Sequence, residues 1–400
     1  MKKIKIFNGN VITPYRILKN ATLLINNGKI ELISEGDIAA PGYALIDAEG
    51  NYISPGFIDI HIHGGGGYDF MDGTEEAYLK IAEIHAKYGT TAMAPTTLTC
   101  AKEDLLKAID LYKSAAVKNT KGAQFIGLHL EGPYFALSQS GAQDPRYIRN
   151  PAIEEYKEII AYGDVIKRWS VAPELPGAIE MGKYLKANGI IAAIAHTDAI
   201  YEEVIEAVEN GYSLATHLYS AMSGVTRRNT YRYAGVIESA YLIDSMDVEI
   251  IADGIHLPPP LLKLVYKIKG PDRIALITDA MRAAGMPEGE SVLGNKDTGL
   301  KVIVENGVAI MADRSSFAGS VATTDRLVRS MIQMADIPLI EAVRMMSKTP
   351  ATIMGVEAEK GSLTVGKDAD VVIFDENINI KTTVINGEVI YTAADFNTTL

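Results

Sequence analysis

The 400 residues contain seven histidines, and six of them close short apolar runs: His61 and His63 in FIDIHIHG, His129 in GLHLEGP, His196 in IIAAIAHT, His217 in LATHLY and His256 in IADGIHL. The seventh, His85, lies in the helical pattern YLKIAEIHAKYG and is expected to stand apart from the others. Carboxylates occupy equivalent places, Glu131 behind His129 and Asp279 in LITDAM. Imidazole nitrogen and carboxylate oxygen without thiolate suit Zn(II), Fe(II) or another borderline divalent ion, whereas Mg(II) prefers oxygen alone. His61 and His63, two positions apart on a strand, project from one face and can serve one ion. Singly, each residue has an ordinary explanation. His-x-His arises by chance, a lone His196 or His217 can be a hydrogen-bonded core histidine, Asp279 can cap a helix and Glu131 can pair at a rim. Their joint occurrence at the ends of successive runs is what points to a metal site. Gly64 to Gly67 follow the His-x-His pair but lack the Gly-Lys-Ser/Thr ending of a phosphate loop, so they read as backbone passing close to that site.

The elements that must position these side chains follow from the pattern of the runs. YISPGFIDIHIHG, TTAMAPTTL, QFIGLHL, RWSVAPE, GIIAAIAH, YSLATHLY, VEIIADGIH and RIALITDA do not alternate polar with apolar, the signature of parallel strands buried on both faces. Helical patterns separate them. TDAIYEEVIEAVENG, for example, starts at a Thr/Asp cap, puts Ile200, Val204, Ile205 and Val208 on one face and stops at Gly211. Eight strand–helix units over roughly 300 residues predict an α/β fold, a TIM-type (β/α)8 barrel, whose chemistry sits at the carboxyl ends of its strands. The two chain ends carry hairpin chemistry instead, short β-prone runs broken by Asn-Gly and Gly turns. Neither end is large enough for a core of its own, so the two are expected to pair as a small β-sandwich domain, residues 1–52 plus 357–400, around a catalytic barrel of residues 53–356.

Composition narrows the class of partner. Fifty acidic against 38 basic residues give a formal charge of −12, a field that opposes nucleic acid and anionic membranes, so any phosphate must be bound by local cations. A single cysteine, Cys100, allows no internal disulfide and no Cys-rich zinc module. No run approaches the length of a membrane span, and the amino terminus lacks an apolar segment of signal-peptide length. A cytoplasmic, soluble enzyme is expected.

This constellation on a barrel flanked by a split β unit resembles the amidohydrolase superfamily. Within it, PGFIDIHIHGGGGYD, GLHLEGPY, VAPE, AHT, THLYSAM, IADGIHL, LITDAM and FAGS are similar to the branch that deacetylates N-acetyl amino-sugar 6-phosphates, and the likeness runs through the whole chain. The resemblance implies hydrolysis of N-acetylglucosamine 6-phosphate, or of its galacto epimer, to the free amino-sugar phosphate and acetate by a homodimer. It also implies that Glu131, His196 and His217 hold the principal metal, Zn(II) before Fe(II), and that His61 and His63 hold a second ion or complete the site. Asp279 falls on the proton-transfer aspartate. Ala142, Ser220, Ala221, Arg228, Asp253, Gly254, Ile255, His256, Phe317, Ala318 and Gly319 fall on substrate-contact positions, the arginine reaching the phosphate across the dimer interface. Three departures stand out. Ser220 replaces an asparagine. Gln143 replaces a histidine that polarises the amide carbonyl, and it is expected to donate an N–H to the developing oxyanion. SGVTRRNTYRYAGVIES offers Arg227 and Arg232 beside Arg228. Dihydroorotase- and hydantoinase-like enzymes want a modified lysine at the end of strand four, where this chain reads VAPE. Adenosine-deaminase-like enzymes lack the flanking β unit and the HLEGP glutamate. A non-catalytic descendant typically loses ligands, and none is missing here.

Overall fold

The computed structural model describes residues 3–398, so the outermost residues of the expected end segments lie outside it. Eight parallel strands form the barrel: Phe57–Ile62, Thr90–Thr97, Leu128–Glu131, Ile166–Val171, Ile191–Ile194, Tyr212–Ala215, Asp247–Ile250 and Ile274–Leu276. Each pairs with the next in chain order. A parallel bridge between Ile62 and Ala280 brings the last segment back to the first. The eight expected runs are these eight strands, and their continuous apolar character follows from burial inside and out: Phe57–Ile62 and Thr90–Thr97 are buried at every position.

Two runs are interrupted where one strand was predicted. QFIGLHL breaks at Gly127 (φ 130°), which separates the short strand Gln124–Phe125 from Leu128–Glu131. YISPGFIDIHIHG divides at Gly56, with Tyr52–Pro55 in the chain-end sheet and Phe57–Ile62 in the barrel. A Cβ at Gly56 would lie 2.1 Å from Thr91 Oγ1, so only glycine lets the chain pass between the two sheets there.

The chain ends meet in one continuous eight-stranded sheet, Val371–Phe374 pairing antiparallel with Tyr52–Pro55. Its Asn27-Gly28 and Asn386-Gly387 turns have positive φ at both positions (53°, 76° and 49°, 74°), which suits two-residue hairpins. The turns also touch, since a Cβ on Gly387 would lie 2.9 Å from Gly28 Cα. The helix after the fifth strand is Tyr201–Glu209 and starts later than the Thr/Asp cap predicted. Thr197 and Asp198 are held instead by Glu174, through Thr197 Oγ1 (2.6 Å) and Asp198 N (2.7 Å), and Glu203 accepts from Ile200 N at 2.8 Å to satisfy the helix start. Two additions were not anticipated. One is the hairpin Thr226–Arg228/Tyr231–Tyr233, the other an antiparallel three-stranded insert, Gly289–Leu293, Leu300–Glu305 and Val308–Met311, after the eighth strand.

Candidate metal centre

The strand ends deliver the side chains to one place. His61 is on the first strand and His63 just beyond it, Glu131 ends the third, and His196, His217 and Asp279 follow the fifth, sixth and eighth within three residues. Their potential ligand atoms fall into two groups, His61/His63/Asp279 and Glu131/His196/His217, each with all atoms within 4.8 Å of one another. Glu131 lies between the groups. Its Oε1 is 3.1 Å from His217 Nε2, 3.5 Å from His196 Nε2 and 3.3 Å from His61 Nε2, and its Oε2 is 3.3 Å from His63 Nε2. Asp279 Oδ1 is 3.2 Å from His63 Nε2 and 3.5 Å from His61 Nε2.

The donor set fits a divalent cation, for a reason of hydrogen bonding. His63 Nδ1 is 3.2 Å from the Thr96 carbonyl oxygen and His196 Nδ1 is 2.8 Å from that of Gln139. A carbonyl oxygen only accepts, so each Nδ1 carries a proton and each neutral ring turns an Nε2 lone pair inward. Lone pairs facing carboxylates in a buried centre repel unless a cation lies among them or the rings take up a second proton. Burial opposes that second proton, yet the Glu131 and Asp279 charges push His61 up to about 9 and hold His63 well above the usual histidine range. Conversely, although burial works against it, the neighbouring His61 and His63 hold the Asp279 carboxyl below the usual range.

Backbone strain coincides with the centre. His196, His217 and Asp279 have φ of 46°, 29° and 49°, as do Tyr219 (81°) and Ala221 (49°) beside it. Left-handed backbone at such residues costs about 1–3 kcal/mol each and survives where the surrounding structure enforces it, commonly at functional sites.

Sequence reasoning missed the groups behind the ligands. Arg168, fully buried, donates to Thr216 Oγ1 (2.8 Å), to the Ile60 carbonyl (3.1 Å) and to both oxygens of Glu249, whose Oε2 faces His61 Nδ1 at 3.5 Å. A signal existed, since an arginine and a glutamate inside the buried strands RWSV and VEII must pair. His129 takes no place among the ligands. Its ring lies between Thr96 Oγ1 (3.1 Å) and Ser170 Oγ (2.8 Å), and burial together with Arg168 holds its pKa well below the usual value.

His85 is not remote, contrary to the sequence reading. Its Nε2 donates to Gly64 O at 2.9 Å, one residue beyond His63, and burial lowers its pKa to about 4. The glycine run packs against this ring and against neighbouring backbone: Cβ atoms at Gly64 and Gly65 would meet Tyr68 O and His85 Nε2, each at 2.4 Å. His85 is thus neutral when folded and protonates near 6.5 when unfolded, so its share of stability is complete above pH 6.5 and lost as pH falls towards 4, up to about 3 kcal/mol. His85→Gln keeps an N–H for Gly64 but does not titrate. Its acid unfolding over that window is expected to be shallower than that of the parent, and coincident curves would show that His85 adds nothing to acid sensitivity.

Above the ligands opens a cavity of about 310 Å³. Ala142, Gln143, Ser220, Ala221, His256, Phe317 and Gly319 line it, with Leu98, Gly141, Tyr219, Ile251, Leu293 and Ser316, which sequence reasoning did not single out. Other expected contact residues lie elsewhere. Asp253 stands behind His256, its Oδ2 2.8 Å from Nδ1 and its Oδ1 taking the Ile255 and His256 amides at 2.8 Å. Ala318 is buried in the apolar cluster of the three-stranded insert, and Ile255 is half-exposed outside the cavity. Gly254 is likewise not part of the wall; its φ is 84° and a Cβ there would lie 2.5 Å from Met334 Sδ. Arg227 and Arg228 sit on the exposed 226–233 hairpin, Arg228 over the Tyr233 ring at 5.6 Å, and neither lines the cavity of its own chain; nor does Arg232. Gln143 lines the cavity with its amide already engaged at both ends, one of the two N–H groups being taken by Glu131. Its Nε2 donates to Glu131 Oε2 at 2.6 Å and its Oε1 accepts from Thr99 N at 2.8 Å.

Comparison with known proteins adds to this geometry. Residues 52–390 match the Amidohydrolase family. An N-acetylglucosamine-6-phosphate deacetylase from Lysinibacillus sphaericus is 37% identical over 366 residues, 91% of this chain and 92% of that protein. An N-acetylgalactosamine-6-phosphate deacetylase from Escherichia coli O157:H7 is 31% identical over 380 residues, 93% of this chain and 98% of its own. Among solved structures, N-acetylglucosamine-6-phosphate deacetylase from Pasteurella multocida superposes with a TM-score of 0.91 at 30% identity, over 98% of this chain and 100% of that one.

Proposed function

The chain belongs to the amidohydrolase family, and from that premise we propose that it hydrolyses the N-acetyl amide of N-acetyl-D-glucosamine 6-phosphate to D-glucosamine 6-phosphate and acetate, in the breakdown of amino sugars. The observation that carries the reading is the buried set of inward-facing Nε2 and carboxylate atoms at the carboxyl ends of the barrel strands, beneath a sugar-sized cavity. The relatives named above supply the substrate class. A divalent ion, Zn(II) on this donor set, would lower the pKa of water and polarise the acyl carbonyl. Glu131, His196 and His217 hold the principal ion, and His61 and His63 hold a second or complete the site. Asp279, at the cavity floor, carries the proton from water to the departing nitrogen, which must leave as an amine. His256, fixed by Asp253, contributes to binding the 6-phosphate.

His256 is the one expected phosphate ligand in the cavity wall, and the overall charge of −12 cannot supply the rest. Arg228, exposed on its hairpin, completes the clamp from the second subunit of a homodimer. We place the enzyme in the cytoplasm, and among the described residues no helix is long and apolar enough to cross a membrane.

The test is hydrolysis of N-acetylglucosamine 6-phosphate, its galacto epimer and the two unphosphorylated sugars, assayed side by side. Turnover of none of them would end the proposal, and preference for the galacto epimer would move the assignment to the substrate of the E. coli relative. In the same assay Arg228→Ala is expected to cost about ten- to a hundredfold in kcat/KM on the phosphorylated sugar and little on the unphosphorylated one. Mixing Arg228→Ala with His196→Ala should restore part of the activity, because a mixed dimer holds one site with both parts intact. Absence of rescue despite subunit exchange would put the arginine in its own subunit's site.

A further inference from the structure

The loop that follows the third barrel strand leaves the metal centre and returns to it. Glu131 ends the strand, the Gln139 carbonyl fixes His196 Nδ1 at 2.8 Å, and Gln143 comes back to Glu131 itself. The amide of Gln143 is buried, 5% exposed, and its orientation is dictated by its neighbours. Thr99 N can only donate, so the oxygen of Gln143 must face it, at 2.8 Å, and the NH2 must face Glu131 Oε2, at 2.6 Å. The side chain therefore spans a backbone amide of the second-strand loop and one oxygen of the carboxylate between the two ligand groups.

We propose that Gln143 is a positioning residue of the metal centre, holding Glu131 by Oε2 so that Oε1 is committed to the ion shared with His196 and His217. Three observations support it. Glu131 Oε1 is the oxygen that lies 3.1 Å and 3.5 Å from the His217 and His196 Nε2 atoms, and 3.3 Å from that of His61, whereas Oε2 faces His63 and Gln143. A carboxylate left to rotate would exchange its two oxygens between the groups, and an N–H bond to one of them removes that freedom. The anchor on Thr99 is main chain, so the amide is held at both ends rather than swinging into the cavity. This role uses both halves of the carboxamide, the oxygen for Thr99 N and an N–H for Glu131 Oε2. It rests on the metal-centre reading above, and the experiment separates failure of the two.

The protein is stripped of metal, and the affinity of the parent, Gln143→Met and Gln143→Asn for Zn(II) is measured by competition with a chromophoric chelator. Visible spectra of the Co(II) forms are recorded beside it. Methionine keeps the length and volume but donates nothing. Asparagine keeps the amide but is one methylene too short to reach both partners, and as the milder change it covers the case in which the methionine variant does not fold. Both are expected to bind Zn(II) about 10- to 100-fold more weakly, the usual cost of losing a group behind a metal ligand, with altered Co(II) absorption bands. Unchanged Zn(II) affinity and Co(II) spectra alongside a fall in kcat would overturn the proposal and make Gln143 a direct donor to the reacting carbonyl. A parent protein that binds neither ion sinks the metal-centre reading and this proposal with it.

Discussion

Glu131→Gln, His196→Ala and His217→Ala are each expected to empty the principal metal position and to lower kcat/KM by on the order of 10³-fold or more, since residues that act as one unit fail together. The geometry explains why no two can substitute for the third. The ligand atoms of the group come from the ends of three different strands, and His196 and His217 are held in left-handed backbone that leaves little slack. Two remaining ligands form a site too weak to keep a divalent ion against dilution. Glu131→Gln has a further consequence. It removes a negative charge that lies within 3.5 Å of four histidines, and a carboxamide that turns its NH2 towards Gln143 leaves a donor against a donor, while one that turns it towards the Nε2 lone pairs uses up the acceptors that would face the ion. Elemental analysis of the purified variants, with turnover measured on the same samples, checks this. Full metal content together with normal turnover in any of the three would remove that residue from the centre.

How far the centre was legible in the sequence depends on what carried the information. Parallel barrel strands are buried on both faces, so their apolar runs stand out, and the residue that interrupts each run at its carboxyl end stands out with them. His61, His63, Glu131, His196, His217 and Asp279 were readable for that reason. The acceptors that fix the rings were not, because the Thr96 and Gln139 carbonyls are main chain and any residue type supplies them. The three-stranded insert was legible in part. VENGVAIM carries the same Asn-Gly turn as the chain ends, with φ of 53° and 73° at Asn306 and Gly307, but it was hidden by the search for strand–helix units. The role of Gln143 could not be read at all, since a glutamine reveals its partners only when both ends are placed. His85 shows the limit of periodicity: the helical pattern puts it on an inward face but does not say that this face meets the loop behind His63.

Asp279→Asn is expected to keep the ion at Glu131, His196 and His217 and to lose at least ~100-fold in kcat, the scale of general acid–base assistance. The variant is clean for two reasons. Asn tolerates the left-handed region about as well as Asp, so the φ of 49° at this position is not a source of misfolding. The backbone bonds that set the position, from Asp279 N to His61 O at 2.9 Å and from Ser320 N to Asp279 O at 2.7 Å, do not involve the side chain. What the substitution removes is the ability to take up and release a proton at Oδ1, the atom 3.2 Å from His63 Nε2 at the floor of the cavity. Because Asp279 also belongs to the His61/His63 group, the metal count discriminates between its two readings. A variant that retains the principal ion and binds substrate with an unchanged KM but turns over slowly assigns the proton to Asp279. One that loses activity only in proportion to its lost metal makes Asp279 a ligand first, and the proton would then have to be carried by another group in contact with the cavity, where His256 and Tyr219 are titratable side chains of the wall outside both ligand groups.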